Sequence, residues 1–280
     1  MKKPQFFLAA AGILLLVILY FFGNTIPPKK NSPAAEEQPS HKEIDVQDIL
    51  KVAKSNLSAS QLSYVNRLEN AVVRGDVKNQ QLTVYRQLFD FWKDSVQQAF
   101  LPTAYYMGEL AKLENSEKNL TFAAQIFLDN LRRQDDPALK TWLAKNAREL
   151  FERSLQLNPY NDSSKVGLGA TYIFGSSGGM EETMQGIQQI LQVARRDSTN
   201  MYAQFMLGLG GMISGQFDKA ADRFAKVVVH QPDNLEAILN LAEANERLGN
   251  KKEAIRWYAA GKKLTANQEL VKEIDQRIKT

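Results

Sequence analysis

Cysteine is absent from the 280 residues. That excludes disulfides, a thiolate nucleophile, thiol-ligated zinc and attachment through an acylated cysteine. It does not identify a compartment, since either redox environment tolerates a cysteine-free chain. Histidine is nearly absent too: only His41 and His230 occur, far apart and without the spacing of a metal site. His230 reads as a helix-end or surface residue. The acidic pairs Asp135-Asp136 and Glu181-Glu182 fall in a turn and at a helix start, where carboxylates favour the helix dipole. Nothing near them supports general acid–base work. The string Gly208-Leu209-Gly210-Gly211 lacks the G-x-x-x-x-G-K-[ST] pattern and follows no strand, so it is not a phosphate loop. With no catalytic constellation, no metal spacing and no cofactor motif, the chain reads as a non-enzyme that needs no cofactor.

The net charge of +4 is unevenly placed. Residues 250–280 hold eight cations against Glu253, Glu269, Glu273 and Asp275, which accounts for the whole excess. The remaining body is near neutral, so the basic pI is not a sign of nucleic-acid binding, and the basic end reads as a solvated cap.

One long apolar run is present. Residues 6–22 contain a single weak helix former, Gly12. As a helix they span roughly 26 Å, close to the hydrocarbon thickness of a bilayer. The run closes on Tyr20, Phe21 and Phe22, which resemble an interfacial belt and not the small-x-small site of a cleaved signal. An uncleaved single-pass anchor at 1–23 is therefore expected. Lys2 and Lys3 and the short N-terminal tail lean towards a cytoplasmic N-terminus, with the bulk of the chain outside the cytoplasm at the inner (cell) membrane. Residues 24–43, with Pro27, Pro28, Pro33 and Pro39, read as a flexible spacer.

The rest of the chain is organised by a period. Residues 201–234 and 235–268 match at an offset of 34: Leu207 with Leu241, Gly215 with Gly249, Ala220 with Ala254, Phe224 with Tyr258. A fixed period of this length marks a repeat solenoid, not one globular core. Small residues at positions 8 and 20 let paired helices approach, large ones at 7, 11 and 24 fill the gaps, and proline ends the second helix. With Met201 as position 1, Leu207, Gly208, Ala220, Phe224 and Pro232 are in register. Gln204 and Gly211 replace the expected Trp and Tyr, and Ala266 replaces the proline of the next repeat. Upstream, Leu168, Gly169 and Tyr172 repeat the pattern, Gly186 and Ile190 resume it after a swollen turn at 175–179, and Ala147, Phe151 and Pro159 form the preceding second helix.

These residues resemble the tetratricopeptide repeat family from about 119 to 268. The resemblance implies an all-α solenoid of helical hairpins, here with an N-terminal transmembrane helix. Residues 44–118 read as degenerate helices, among them 58–75, with Ser58 as N-cap, and 79–98, with the stripe Leu82, Tyr85, Phe89, Trp92 and Val96. Two more are expected at 103–113 and 119–133, and one helix stays odd however they are paired. Residues 269–280, with Leu270, Ile274 and Ile278, read as a capping helix.

In this family the first helix of each repeat lines a concave groove. The resemblance therefore nominates Tyr202, Phe205, Met206, Leu209, Met212 and Ile213, with Val166, Ala170 and Ile173 before them and Leu239 and Glu243 after. The six from Tyr202 to Ile213 are all apolar, and the groove lacks the Lys, Arg and Asn donors that family members use to grip a terminal carboxylate. It suits a helical or unfolded apolar segment of a partner, beside an acidic rim at Glu243 and Glu246. The expected role is a membrane-anchored scaffold or adaptor for a protein or peptide ligand, with no nucleic acid. Some bacterial proteins of this layout serve secretion chaperoning or cytochrome c maturation, a likeness of architecture alone. The alternative is a self-associating homo-oligomer whose groove is filled by its own N-terminal helices, the Trp92 stripe among them.

Overall fold

The computed structural model describes residues 44–74, 78–96, 99–175 and 179–279. The expected membrane segment at 6–22, the spacer at 24–43 with His41, and residues 176–178 of the swollen turn lie outside them. Among the described residues no helix is long and apolar enough to cross a membrane.

Thirteen helices and no strand occur among the described residues. They are α1 (Val46–Lys54), α2 (Ala59–Arg74), α3 (Lys78–Asp94), α4 (Phe100–Glu114), α5 (Glu117–Leu131), α6 (Pro137–Leu157) and α7 (Asp162–Phe174). There follow α8 (Met180–Arg196), α9 (Met201–Ile213), α10 (Phe217–His230), α11 (Leu235–Arg247), α12 (Lys251–Lys262) and α13 (Gln268–Lys279). Consecutive helices pair as hairpins, α3 with α4 through to α11 with α12, and α13 covers the last of them. The helix left odd by the sequence is accounted for by one that the sequence reading missed: α1, only nine residues long, packs on α4, while α2 packs on α3.

The period has a local chemical cause. Each first helix of the repeats at 162, 201 and 235 starts from an asparagine N-cap. Asn161, Asn200 and Asn234 accept from the backbone N–H of Ser164, Ala203 and Ala237 at 2.9–3.0 Å. The helices α9 and α11 end on Gly215 and Gly249, with φ of 72° and 76°, a left-handed turn that an L side chain would strain. Ser58 and Gln61 form the reciprocal capping box that starts α2.

Close helix pairing follows from missing side chains. A Cβ on Gly208 would lie 2.6 Å from the Phe224 ring, and one on Gly167 2.2 Å from the Phe151 ring. Gly169 and Gly186 face each other's backbone across α7 and α8. A small polar network, Thr121, Ser154 and Ser164 linked at 2.8–2.9 Å, sets the register of α5, α6 and α7.

The main apolar core runs from Ile49 and α4 through to α11, with separate clusters at the N-terminal and C-terminal ends. Trp92 belongs to that N-terminal cluster, packed with Leu50, Val65, Leu68, Leu88, Phe91 and Tyr106, and is 1% exposed. This corrects the expectation that Trp92 fills the groove: the ring is consumed in covering the end of the array. Beside it, burial and the hydrogen bond to Glu69 (2.6 Å) push the Tyr106 hydroxyl far above its ordinary range.

The glycine string is explained position by position. A Cβ on Gly211 would meet Ala220 at 3.1 Å, whereas one on Gly210 finds nothing nearer than Ile173 at 3.4 Å. Gly208→Ala is therefore expected to destabilise by about 1–3 kcal/mol through overpacking. Gly210→Ala is expected to stabilise by up to about 1 kcal/mol through helix propensity. Urea denaturation followed by circular dichroism checks both, and equal effects at the two sites would refute the packing argument.

Candidate partner-binding groove

The helices α5, α7, α9 and α11 lie side by side, and their facing side chains form the inner wall of the array. Tyr202 on α9 reaches back past α7 and donates to Gln125 Oε1 on α5 at 2.8 Å. Burial raises the Tyr202 hydroxyl well above its ordinary value, so it remains a donor. Arg132, just after α5, spans furthest. Its guanidinium lies 5.8 Å from the Phe174 ring centroid and 5.5 Å from that of Phe205, and it pairs with Glu236 on α11. Phe205 in turn packs edge-on against Phe224, at 5.8 Å. The curvature is thus tight enough for one arginine to touch three successive repeats.

That tightness revises the nominated residues. Val166 and Ala170 are wholly buried, Ile173 nearly so, and Met206 points into the core. These four shape the wall and offer a partner no surface, because neighbouring first helices close over them. Phe205 and Leu209 are buried too, with only 9% of each exposed, Tyr202 and Met212 are half-buried, and Ile213 stands free at the edge, 57% exposed. Leu239 and Glu243 line a small cavity of about 100 Å³ with Asn240, Tyr258, Glu273 and Arg277 at the C-terminal end.

The acidic rim is largely committed. Glu243 pairs with Arg247 at 3.3 Å, and Glu246 accepts from Tyr258 Oη at 2.7 Å and from Arg277 at 3.0 Å. Burial pushes the Glu246 carboxyl up, but the hydrogen bonds from Tyr258 and Arg277 outweigh it and hold the group below its ordinary range.

Two groups on this wall escaped the sequence reading. Phe122 is 62% exposed. It precedes Gln125 and Asp129 on one face of α5, off the buried stripe of Leu120, Ala123, Ala124, Phe127 and Leu128. An aromatic off the core stripe was the available signal. Arg132 left none, since its partners are far away in sequence. Elsewhere, His230 Nδ1 donates to the Lys226 carbonyl at 2.9 Å and Asp136 caps α6, both local duties.

Residues 212–278 match the family model described as tetratricopeptide repeat. The chain carries tetratricopeptide repeats. Among solved structures it is similar to TTC0263, a thermophilic TPR protein of Thermus thermophilus. Identity is 16% over 73% of this chain and 100% of that one, with a TM-score of 0.53. It is also similar to MamA (41-end) from Desulfovibrio magneticus RS-1, with 19% identity, coverage of 68% and 96%, and a TM-score of 0.45. No curated protein sequence matches the chain significantly. The TPR fold is that of a protein-interaction scaffold.

Arg132→Ala is expected to cost about 1–3 kcal/mol, because two cation–π contacts of about 0.5–2 kcal/mol each are lost with the ion pair. Glu236→Ala removes only a half-exposed ion pair and should cost at most about 1 kcal/mol. Equal losses in urea denaturation would contradict this ranking. At the other end, Glu246 has a lowered carboxyl value, so its contribution is complete above its ordinary 4.5 and is lost as pH falls below that. Amide exchange protection of α13 should therefore drop at acid pH, and less so in Glu246→Gln.

Proposed function

We propose that this chain is a non-enzymatic scaffold, held to the inner membrane by residues 6–22 with its N-terminus in the cytoplasm and its repeats outside it. Its inner wall docks a short apolar segment of a protein partner. The reading rests chiefly on one observation: Phe122 is exposed on α5 one turn before Gln125, which half-buried Tyr202 of α9 reaches. Along α9 from Tyr202 runs a strip of the largely covered Phe205 and Leu209 and half-buried Met212. A large exposed aromatic beside partly covered apolar side chains is a favourable anchor for a binding segment. Leu239 and Glu243 extend the strip towards the C-terminal cavity. The Arg132–Glu236 pair crosses the wall and limits the occupant to a few turns of helix or a short extended stretch. The arginines beside the strip, Arg132 and Arg277, are already engaged by Glu236 and Glu246, so an internal segment fits better than a chain end.

A photocrosslinker placed at position 122 in the full chain, in its native membrane, should trap a polypeptide. Leu209→Glu should reduce that adduct at least roughly tenfold, because a carboxylate would be desolvated against the incoming apolar segment. A crosslinker at exposed Val229 should trap nothing in common with it. An adduct indifferent to Leu209→Glu would refute the inner-wall assignment. Deleting residues 1–23 should move the protein from the membrane to the soluble fraction, and recovery of the intact chain in the soluble fraction would end the tether reading.

A further inference from the structure

The second helix of one repeat carries more apolar surface than its own hairpin uses. On α8 the residues Gly186, Ile190, Val193 and Ala194 face the core. A second stripe runs beside them: Met180, Met184, Ile187 and Leu191, spaced 4, 3 and 4. That spacing is the seam of a helix meant to meet another helix. Its first half is bare, with Met180 82% and Met184 48% exposed. Its second half, Ile187 and Leu191, lines a groove of about 340 Å³ between α8 and α10.

The floor of that groove is α9, cleared of side chains at Gly210 and Gly211. One wall is α10, with Lys219, Arg223 and Lys226 against a single acid, Asp222. Arg223 is held by Gln204 and Lys219 by Gln216, while Lys226 is exposed and has no ion pair among the described residues. At the other end of the same stripe, Glu181 is exposed and likewise unpaired among the described residues, beside Glu182, which reaches Arg148 at 3.5 Å. The bare end of the seam is therefore apolar and acidic, and the grooved end is apolar-floored and basic.

We propose that this seam is the contact of a twofold dimer, in which α8 packs antiparallel on α8 of a second copy. A second copy supplies both missing pieces at matched spacing. Met184 of one protomer meets Leu191 of its partner, Met180 continues into the groove mouth, and Glu181 comes beside Lys226. The symmetry repeats each of these contacts, as an isologous interface requires. The pairing uses the outer face of the array and is independent of the inner wall around Phe122. With Met184 opposite Leu191, the axis falls between Ile187 and Gln188, so exposed Gln188 lies opposite Ile187 of the second copy and within one residue of its own counterpart.

The cysteine-free chain makes the test direct. Gln188→Cys in the full-length protein, solubilised in dodecyl maltoside and oxidised, should give a disulfide-linked dimer. Val229→Cys on exposed α10 surface should not. In sedimentation, Lys226→Glu should weaken the dimer roughly tenfold by placing like charges together, and adding Glu181→Lys should restore it. Rescue by the swapped pair separates the contact from a general loss of folding, and neither residue touches the inner wall. A chain monomeric at every concentration, a dimer that neither crosslinks at 188 nor responds to the charge swap, or a crosslink from 188 to a different polypeptide would each overturn the proposal.

Discussion

Backbone-to-ring contact governs this molecule. Where Gly208 meets Phe224 and Gly167 meets Phe151, neighbouring helices approach as closely as a bare Cα allows. Gly169 and Gly186 bring α7 and α8 together at a similar limit, backbone against backbone. Each such approach tilts a helix on its neighbour, and the sum over repeats sets the curvature. That curvature brings Tyr202 to Gln125 and Arg132 to Glu236. The shape of the inner wall is a consequence of glycine placement in the hairpins behind it.

Much of this was legible because repetition amplifies weak signals. Asparagine at 200 and 234 and glycine at 215 and 249 each look ordinary alone, but at a shared offset they define caps and turns. The all-α repeat fold followed from such positions. The limits were also physical. The helix α1 has nine residues, too few for periodicity to declare itself, although Asp45 caps it in the ordinary way. Assigning groove positions by consensus number assumed a wide superhelix. In a tight one, Val166 and Ala170 sink beneath their neighbours while Phe122, outside the numbered set, comes to the surface. Side chains that bridge distant repeats, as Arg132 does, have no local pattern to betray them.

The two surfaces divide the molecule's interaction capacity. The inner wall is narrow, with its apolar groups mostly covered and its acids engaged by Arg247, Tyr258 and Arg277. The outer face of α8 is open, with methionines that adapt to contacts of varied shape, and Glu181 on it and Lys226 on neighbouring α10 form no ion pair among the described residues. The proposed dimer contact and the proposed docking wall thus fall on separate faces.

The Arg132–Glu236 bridge alters how such an array comes apart. A solenoid whose units touch only their neighbours frays from its ends, one hairpin at a time. A strut fastened from the end of α5 to the start of α11 adds a coupling of at most about 1 kcal/mol across the intervening hairpins, which favours their opening together. The middle of the ribbon is thereby cross-braced as well as stacked, and its hairpins are coupled a little beyond their nearest neighbours.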